Sequence, residues 1–386
     1  MRILHAISGI DPRNGGPTNA LIGLAAAQVR AGLNVCVIAT WQEMDAFTSA
    51  KRLEGLDVGV RMIGQAQGKL SRHPDLIRSL EEELAQTDVL HVHAVWEEIQ
   101  HQACRAAQRM SKPYVVTPHG MLDPWNMRKS RLAKRVFLAM RVRRNLDRAT
   151  SLHFTTEIER QAVARMKLAP PTLVESLGLD LADFAELPPR GSLRGRYPQL
   201  DNRPIILFLG RIHFGKGLEL LVPALAQMQR KDAMVVVAGP DSQGFEKHVK
   251  DLASGAGVLD RMIFTGMITG REKLEALVDA DVLAMPSYHE NFGLAAIEAL
   301  AAGTPVIVSD QVNLHPDIST AGVGGVVLLD PAALSRELDR WLNDDELRQS
   351  AAMIAPAFAR ERYDWNEIAR RWVGHYQNVA ALNRRA

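Results

Sequence analysis

Residues 284–310, AMPSYHENFGLAAIEALAAGTPVIVSD, leave the chain little choice of architecture. An apolar run ends at Met285, a loop follows, and residues 292–302 then have helical composition. Asn291 stands at the N-cap position, and Gly303 and Pro305 stop the helix before a second apolar run at 306–309. Two short apolar runs joined by one helix read as a strand, a crossover and a parallel strand buried on both faces.

That unit repeats along the chain. The first half predicts strands at 3–8, 35–40, 58–63, 89–93, 114–117 and 152–155, with helices near 18–31, 75–86, 97–110, 129–148 and 157–167. The pattern lapses over 181–204, LADFAELPPRGSLRGRYPQLDNRP, and then restarts. Strands follow at 205–209, 235–238, 262–264, 282–285, 306–309 and 326–329, with helices at 217–230, 242–254, 271–279, 292–302, 331–343 and 345–360. The expectation is an α/β protein of two Rossmann-like, doubly wound parallel-sheet domains, 1–185 and 203–364, joined by a linker at 186–202 and facing a cleft that holds the ligand. A last helix near 366–382 carries Ile368, Trp372 and Tyr376 at four-residue spacing, so 365–386 should cross back onto the first domain.

Two carboxylates mark the 284–310 crossover, Glu290 before the helix and Glu298 within it. Eight residues of helix rise about 12 Å at ~1.5 Å each. A glycosidase pair needs carboxyls roughly 5 to 9.5 Å apart, so that chemistry is disfavoured. The amides of Phe292, Gly293 and Leu294 at the helix start form an anion site between the two acids. A hydroxyl-rich group at Glu290, a phosphate at the amides and a second hydroxyl-rich group at Glu298 describe a nucleotide-sugar. The plainer alternative makes Glu290 a solvated loop residue and Glu298 an exposed helix charge.

Charge narrows the class further. Lys and Arg number 46 against 44 Asp and Glu in 386 residues, a net charge of +2 that gives no field for nucleic acid. Cys36 lies in a strand and Cys104 in a helix, with no CxxC, so both read as free thiols in a reducing compartment. The chain enters a strand at Ile3, leaving no room for a signal peptide, and no run reaches the ~18 apolar residues of a membrane span. A cytoplasmic protein is expected.

Other candidate groups sit at strand ends. Gly15 and Gly16, in Asn14-Gly15-Gly16-Pro17, follow the first strand and allow backbone amides to approach a phosphate, or form a plain tight turn. The pattern is not GxGxxG, and no acid ends the second strand, which disfavours a dinucleotide oxidoreductase. Arg211 and Lys216 end one strand and open the next helix in the second half, where two cations suit a diphosphate and its leaving group without a metal. Asp279-Ala280-Asp281 spells DxD but sits where a helix ends and a strand begins, so capping is expected and no metal. His119, in Thr117-Pro118-His119-Gly120, leaves a strand at its ligand-facing end. His5, His91, His93, His101 and His153 are expected to be packed or solvated; His91 and His93 share a sheet face with no evident third ligand. Residues 128–148 carry nine Lys or Arg and one Asp. They form a basic amphipathic helix, either a solvated face or a dock for an anionic membrane surface.

Taken together, Glu290-x7-Glu298 with its Pro286-Ser287 lead-in, Arg211 and Lys216, Gly15-Gly16 and His119-Gly120 resemble glycosyltransferase family 4, whose members are retaining GT-B enzymes using the EX7E motif. The resemblance spans almost the whole chain. It implies no cofactor and a nucleotide-sugar donor (UDP-, GDP- or ADP-sugar). Gly15, Gly16, Asn291 and the 292–294 amides would lie at the donor, Arg211 and Lys216 would stabilise the leaving nucleotide, and Glu290 would hold the hexose. Glu298 would take the ribose, the backbone at Met267 would border the base, and His119 would lie beside the reacting sugar. Asp123 is a weaker candidate for the acceptor, or a turn with Pro124. Asn291 stands where Gly is common, and Ser176-Leu177-Gly178-Leu179-Asp180 departs from the usual Pro-Asn-Gly-Val-Asp before the linker.

The implied activity is metal-independent, retaining transfer of a hexose to a hydroxyl of a saccharide or lipid-linked acceptor, in surface polysaccharide or glycolipid synthesis. It would take place in the cytoplasm or peripherally on the inner face of the membrane. No carboxylate stands out as a covalent nucleophile, which favours front-face displacement. The alternatives are a nucleotide-sugar epimerase, which would turn over without an acceptor, and a non-catalytic binder, which would not turn over at all.

Overall fold

Short runs of Val, Ile, Leu and Ala with no polar alternation become strands covered on both faces. In this computed structural model, which describes residues 1–11, 15–41, 46–68, 70–128 and 131–383, they form two all-parallel sheets. The first contains β1 (Arg2–Ile7), β2 (Asn34–Trp41), β3 (Gly59–Gln65), β4 (Val89–His93), β5 (Tyr114–Thr117), β6 (Ser151–Phe154) and β7 (Thr172–Val174), in the order β3-β2-β1-β4-β5-β6-β7. The second contains β8 (Ile205–Leu209), β9 (Met234–Ala238), β10 (Met262–Gly266), β11 (Val282–Met285), β12 (Val306–Ser309) and β13 (Gly324–Val327), in the order β10-β9-β8-β11-β12-β13. In each, the order reverses between two adjacent central strands, β1 and β4 or β8 and β11. Such a switch point is where strand-end loops diverge and leave room for a ligand.

The chain divides into two compact units, 1–178 with 363–386, and 179–362. Helix Trp365–Asn383 belongs to the first unit, where Trp372 and Tyr376 are fully buried against its sheet and Arg371 pairs with Glu175 at 2.9 Å. The segment expected as a linker, 186–202, is instead fastened to the second unit. Gly191 and Leu193 donate their amides to Asp279 at 2.5 and 2.7 Å, and Arg190 pairs with Asp281 at 2.6 Å.

Further elements went unread in the sequence, among them helix Ala46–Glu54, strand β7, helix Ser192–Arg196 and helix His315–Ala321. The single helix expected at 129–148 is interrupted. Arg131–Phe137 and Arg143–Asp147 flank a π turn, Leu138–Val142, and helix Pro124–Arg128 precedes them. Residues 129 and 130 of that expectation lie outside the described residues. No helix among the described residues is long and apolar enough to cross a membrane.

Candidate active site

The loops leaving β8 and β11 interlock at the switch point of the second sheet. After β8 come Gly210, Arg211 and a 3-10 turn, Phe214–Lys216, closed by Gly217 at φ 76°. A Cβ on Gly217 would lie 1.9 Å from the Pro286 carbonyl oxygen, so only glycine lets this turn press onto the loop after β11. Tyr288 donates its amide to Gly215 at 3.0 Å, and the Phe214 and Tyr288 rings stack 5.1 Å apart. Glu290 is clamped through its backbone, donating to Gln311 at 3.1 Å and accepting from Asn313 at 3.0 Å. Two blocks 74 residues apart in sequence are thereby joined, and the Glu290 carboxylate meets the Lys216 ammonium in an ion pair.

The helix after Glu290 begins later than its sequence suggests. It runs Leu294–Ala301, and its N-cap is Gly293 at φ 95°, not Asn291. The left-handed turn suits glycine, whereas Asn291 and the buried Phe292 precede it in the loop. Ala296 and Ile297 donate to the Gly293 carbonyl, so the amides without an acceptor inside the helix are those of Leu294 and Ala295. Helical rise from Leu294 to Glu298 is then about 6 Å, half of the separation inferred by extending the helix back to Glu290.

Glu298 pairs with a residue the sequence did not single out. Lys273, on helix Gly270–Asp279, reaches its Oε1 at 2.9 Å. The available signal was positional: Lys273 lies one turn into the helix after β10, as Glu298 lies one turn into the helix after β11. Met267, half-exposed, joins β10 to that helix. Arg211 is exposed and makes no hydrogen bond or ion pair with the described residues. The second unit thus gathers two acid–base pairs, one unpaired guanidinium and a helix start. An anion arriving there can take over the cations, and the released carboxylates can accept hydroxyls.

Asp279 and Asp281 take no part in this arrangement. Asp279 accepts the amides of Gly191, Leu193 and Arg194, and Asp281 accepts the Ile205 amide at 2.8 Å as well as Arg190.

In the first unit, Gly15 at φ 93° opens helix Gly16–Arg30, and no heavy atom lies within 4 Å of a Cβ placed on Gly16. Asn14 lies outside the described residues. His119 and Gly120 follow β5 with φ of 52° and 74°, two successive left-handed residues. Glu159, fully buried on helix Glu157–Ala164, holds that turn. Its Oε1 accepts the Gly120 amide at 2.5 Å, and its Oε2 accepts the amide and hydroxyl of Thr155 at 2.8 and 2.9 Å. This acid was also missed in the sequence. His119 meets His93 ring to ring, with 3.0 Å between His119 Nε2 and His93 Nδ1. Burial, with a contribution from His153, lowers its pKa to about 3, so the imidazole is neutral. Asp123 Oδ1 accepts the Trp125 amide at 2.8 Å, the turn role that Pro124 suggested.

Elsewhere in this unit the basic segment exposes apolar residues beside its cations. Leu132 and Met140 are 78% and 77% exposed, and Val136 lies between them.

Comparison with known proteins follows this division. Residues 15–178 match the model of the glycosyl transferase 4-like domain, and residues 190–357 that of glycosyl transferases group 1. A D-inositol 3-phosphate glycosyltransferase of Salinispora tropica is 33% identical over 237 residues, covering 56% of this chain and 48% of that protein. The chain spans about half the length of the curated relatives it matches. Among solved structures, Anabaena HepE in complex with UDP and glucose superposes with a TM-score of 0.80 at 19% identity, covering 98% of this chain and 100% of that one. WaaG, a glycosyltransferase involved in lipopolysaccharide biosynthesis, superposes with a TM-score of 0.74 at 17% identity over 97% and 99% of the two chains. These likenesses give the GT-B fold.

Proposed function

From a chain of GT-B fold that joins a glycosyl transferase 4-like domain to a glycosyl transferases group 1 domain, we propose a retaining glycosyltransferase. It moves a hexose from a nucleoside-diphosphate sugar to a hydroxyl of a saccharide or lipid-linked acceptor in surface polysaccharide or glycolipid synthesis. The observation that carries this reading is the pairing of Lys216 with Glu290 and of Lys273 with Glu298 around one switch point.

In the donor complex, Lys216 and Arg211 turn to the diphosphate and neutralise the charge that builds on the leaving nucleotide. Glu290, released from Lys216, accepts hexose hydroxyls. Glu298 accepts the ribose hydroxyls, the amides of Leu294 and Ala295 donate to phosphate oxygens, and the backbone at Met267 borders the base. Gly15 and Gly16 offer a second backbone approach to phosphate, and His119 contacts the sugar. Front-face displacement follows: the acceptor hydroxyl attacks the anomeric carbon, the bond to the diphosphate breaks, and a donor phosphate oxygen takes the hydroxyl proton. Retention needs no carboxylate nucleophile on this route.

Thermal-shift screening with UDP-, GDP- and ADP-sugars, followed by transfer to saccharide acceptors and NMR of the product's anomeric centre, tests the reading. One base should stabilise the protein, and the product should keep the donor's anomeric configuration. Turnover without an acceptor would make the protein an epimerase, and stabilisation without turnover a binder. The exposed Leu132, Val136 and Met140 among basic residues support docking to an anionic membrane surface. Sedimentation with vesicles should then be stronger with anionic than with neutral lipid, and equal partitioning would remove the membrane from the proposal.

A further inference from the structure

Burial holds His119 neutral, and the residues behind it decide which of its nitrogens carries the proton. The backbone carbonyl of Glu175 can only accept. His153 Nε2 lies 2.8 Å from it and must be protonated. Burial also keeps His153 neutral, so its Nδ1 is bare and accepts from the Thr117 hydroxyl at 2.8 Å. With its proton so used, the Thr117 oxygen accepts from His91 Nε2 at 2.7 Å.

Each later member is fixed in turn by its neighbour. His91 Nδ1 accepts from the Tyr376 hydroxyl at 2.7 Å, and the Tyr376 oxygen accepts from the Gln28 amide nitrogen at 3.0 Å. Gln28 Oε1 accepts from His5 Nε2 at 2.7 Å, His5 Nδ1 from His93 Nε2 at 2.9 Å, and His93 Nδ1 from His119 Nε2 at 3.0 Å. These eight hydrogen bonds run in one direction, across strands β1, β4, β5 and β6 and the two helices that carry Gln28 and Tyr376. Reversing the chain would require the Glu175 carbonyl to donate. His119 Nδ1 has no partner among the described residues.

We propose that this chain fixes His119 as its Nε2–H tautomer and presents Nδ1 as a hydrogen-bond acceptor, matched to a hydroxyl of the donor hexose and mismatched to its phosphates. The inference rests on the donor reading above and deepens it. His93, His5, Gln28, Tyr376, His91, Thr117 and His153 are positioning residues acting through His119. A competing use of the same groups exists, because ring nitrogens of His5, His91 and His93 lie within 4.8 Å of one another, a spacing that suits a metal ion. Binding an ion there would take a nitrogen of each ring out of the chain.

Nitrogen NMR of the full chain with labelled histidine, at neutral pH and without substrate, tests the tautomers directly. His5, His91, His93, His119 and His153 should all be neutral and protonated at Nε2. A proton on Nδ1 of any of them overturns the proposal, as does a stoichiometric shift of His5, His91 and His93 on adding Zn²⁺ or Co²⁺.

Tyr376→Phe supplies the functional arm, since it cuts the chain far along from His119. His153 should stay as it is, while His119 becomes a tautomer mixture. The nucleoside diphosphate's Kd should be unchanged and kcat about fivefold lower, the worth of roughly one hydrogen bond. Wild-type tautomer and rate in this variant would show that the chain does not set His119. His119→Asn, which keeps an acceptor where Nδ1 stands, should retain more kcat than His119→Gln; the reverse order overturns the acceptor role. If no nucleotide-sugar turns over, the ligand assignment falls with the donor reading, whereas the NMR result still decides the tautomer.

Discussion

The two sheets share one strand order and put it to different electrostatic use. In the first, the central strands β1 and β4 carry His5, His91 and His93, all buried and all held neutral by burial. In the second, the central strands β8 and β11 are apolar throughout, and the polar groups stand beyond the strand ends, in loops and in the first turns of helices, as partly exposed ion pairs. A buried neutral network cannot change partners without leaving a polar group unsatisfied, so it fixes geometry. A partly exposed ion pair adds little stability, so a ligand can open it at small cost. One topology thus supports a rigid hydrogen-bonded face and an exchangeable charged mouth.

Acid should break that comparison most strongly. The folded pKa of His5 and His153 is lowered to about 4, first by burial, against about 6.5 in the unfolded chain. A depressed histidine pKa makes the unfolded state the better proton binder, so stability is full above pH 6.5 and falls as pH drops towards 4. Each such group loses about 1.4 kcal/mol per pH unit, so these two together remove roughly 4 kcal/mol at pH 5. His91 and His93 act in the same direction. Glu175 does not compensate within this window. Burial raises its pKa, but His375 and Arg371 outweigh that and bring it to about 2, so its contribution is lost only below pH 4.5. Hydrogen exchange at pH 7.5 and 5 should therefore show protection lost from peptides of 1–178 before those of 179–362. Equal loss in both units would dissolve the contrast.

Substitutions in the charged mouth come next. Lys216→Ala should lower kcat by about 10² to 10³, the usual loss when one donor to a developing oxyanion is removed. Glu290→Ala should likewise act mainly on turnover, because in the proposed mechanism its hydroxyl contacts tighten as the sugar bond breaks. Glu298→Ala and Lys273→Ala are smaller effects, each weakening nucleotide binding by about tenfold, or 1.4 kcal/mol. The double variant should lose more than the sum, since each single variant spares the ligand the cost of opening the pair and the double variant makes that saving only once. Calorimetric titration of the nucleoside diphosphate checks both, and additive losses would show that the pair is not opened by the ligand.

The sequence made the charged mouth more legible than the neutral face. Glu290 and Glu298 bracket a glycine at a helix start, and Arg211 and Lys216 sit at a strand end, all local patterns. Lys273 escaped because its partner lies 25 residues away on another helix. The exact helix start was misread because an Asn before a helix ordinarily caps it, whereas here the left-handed Gly293 does. On the histidine face, single strands show at most His91 and His93 in alternation. Joining them to His5, Thr117 and His153 takes strand order, and joining Gln28 to Tyr376 takes the return of the last helix, 348 residues on. Such partners are set by tertiary packing and leave no periodic trace.

The smallest expected effect concerns the acids that resemble a metal motif. Asp279 is buried and accepts three amides, and Asp281 accepts one amide and one guanidinium. A divalent ion at these oxygens would have to displace buried N–H groups, which cost about 1 to 3 kcal/mol each when left unpaired. A chelator should accordingly change kcat by less than about twofold, since the proposed mechanism gives Lys216 and Arg211 the charge relief assigned to a metal elsewhere. Asp279→Asn should lower the melting temperature while leaving nucleotide affinity alone, because it weakens the seat of 191–194 and touches no phosphate contact. Activity lost to chelator and restored by Mn²⁺ would mean that a metal shares the charged mouth, and the division of labour between its two ion pairs would have to be redrawn.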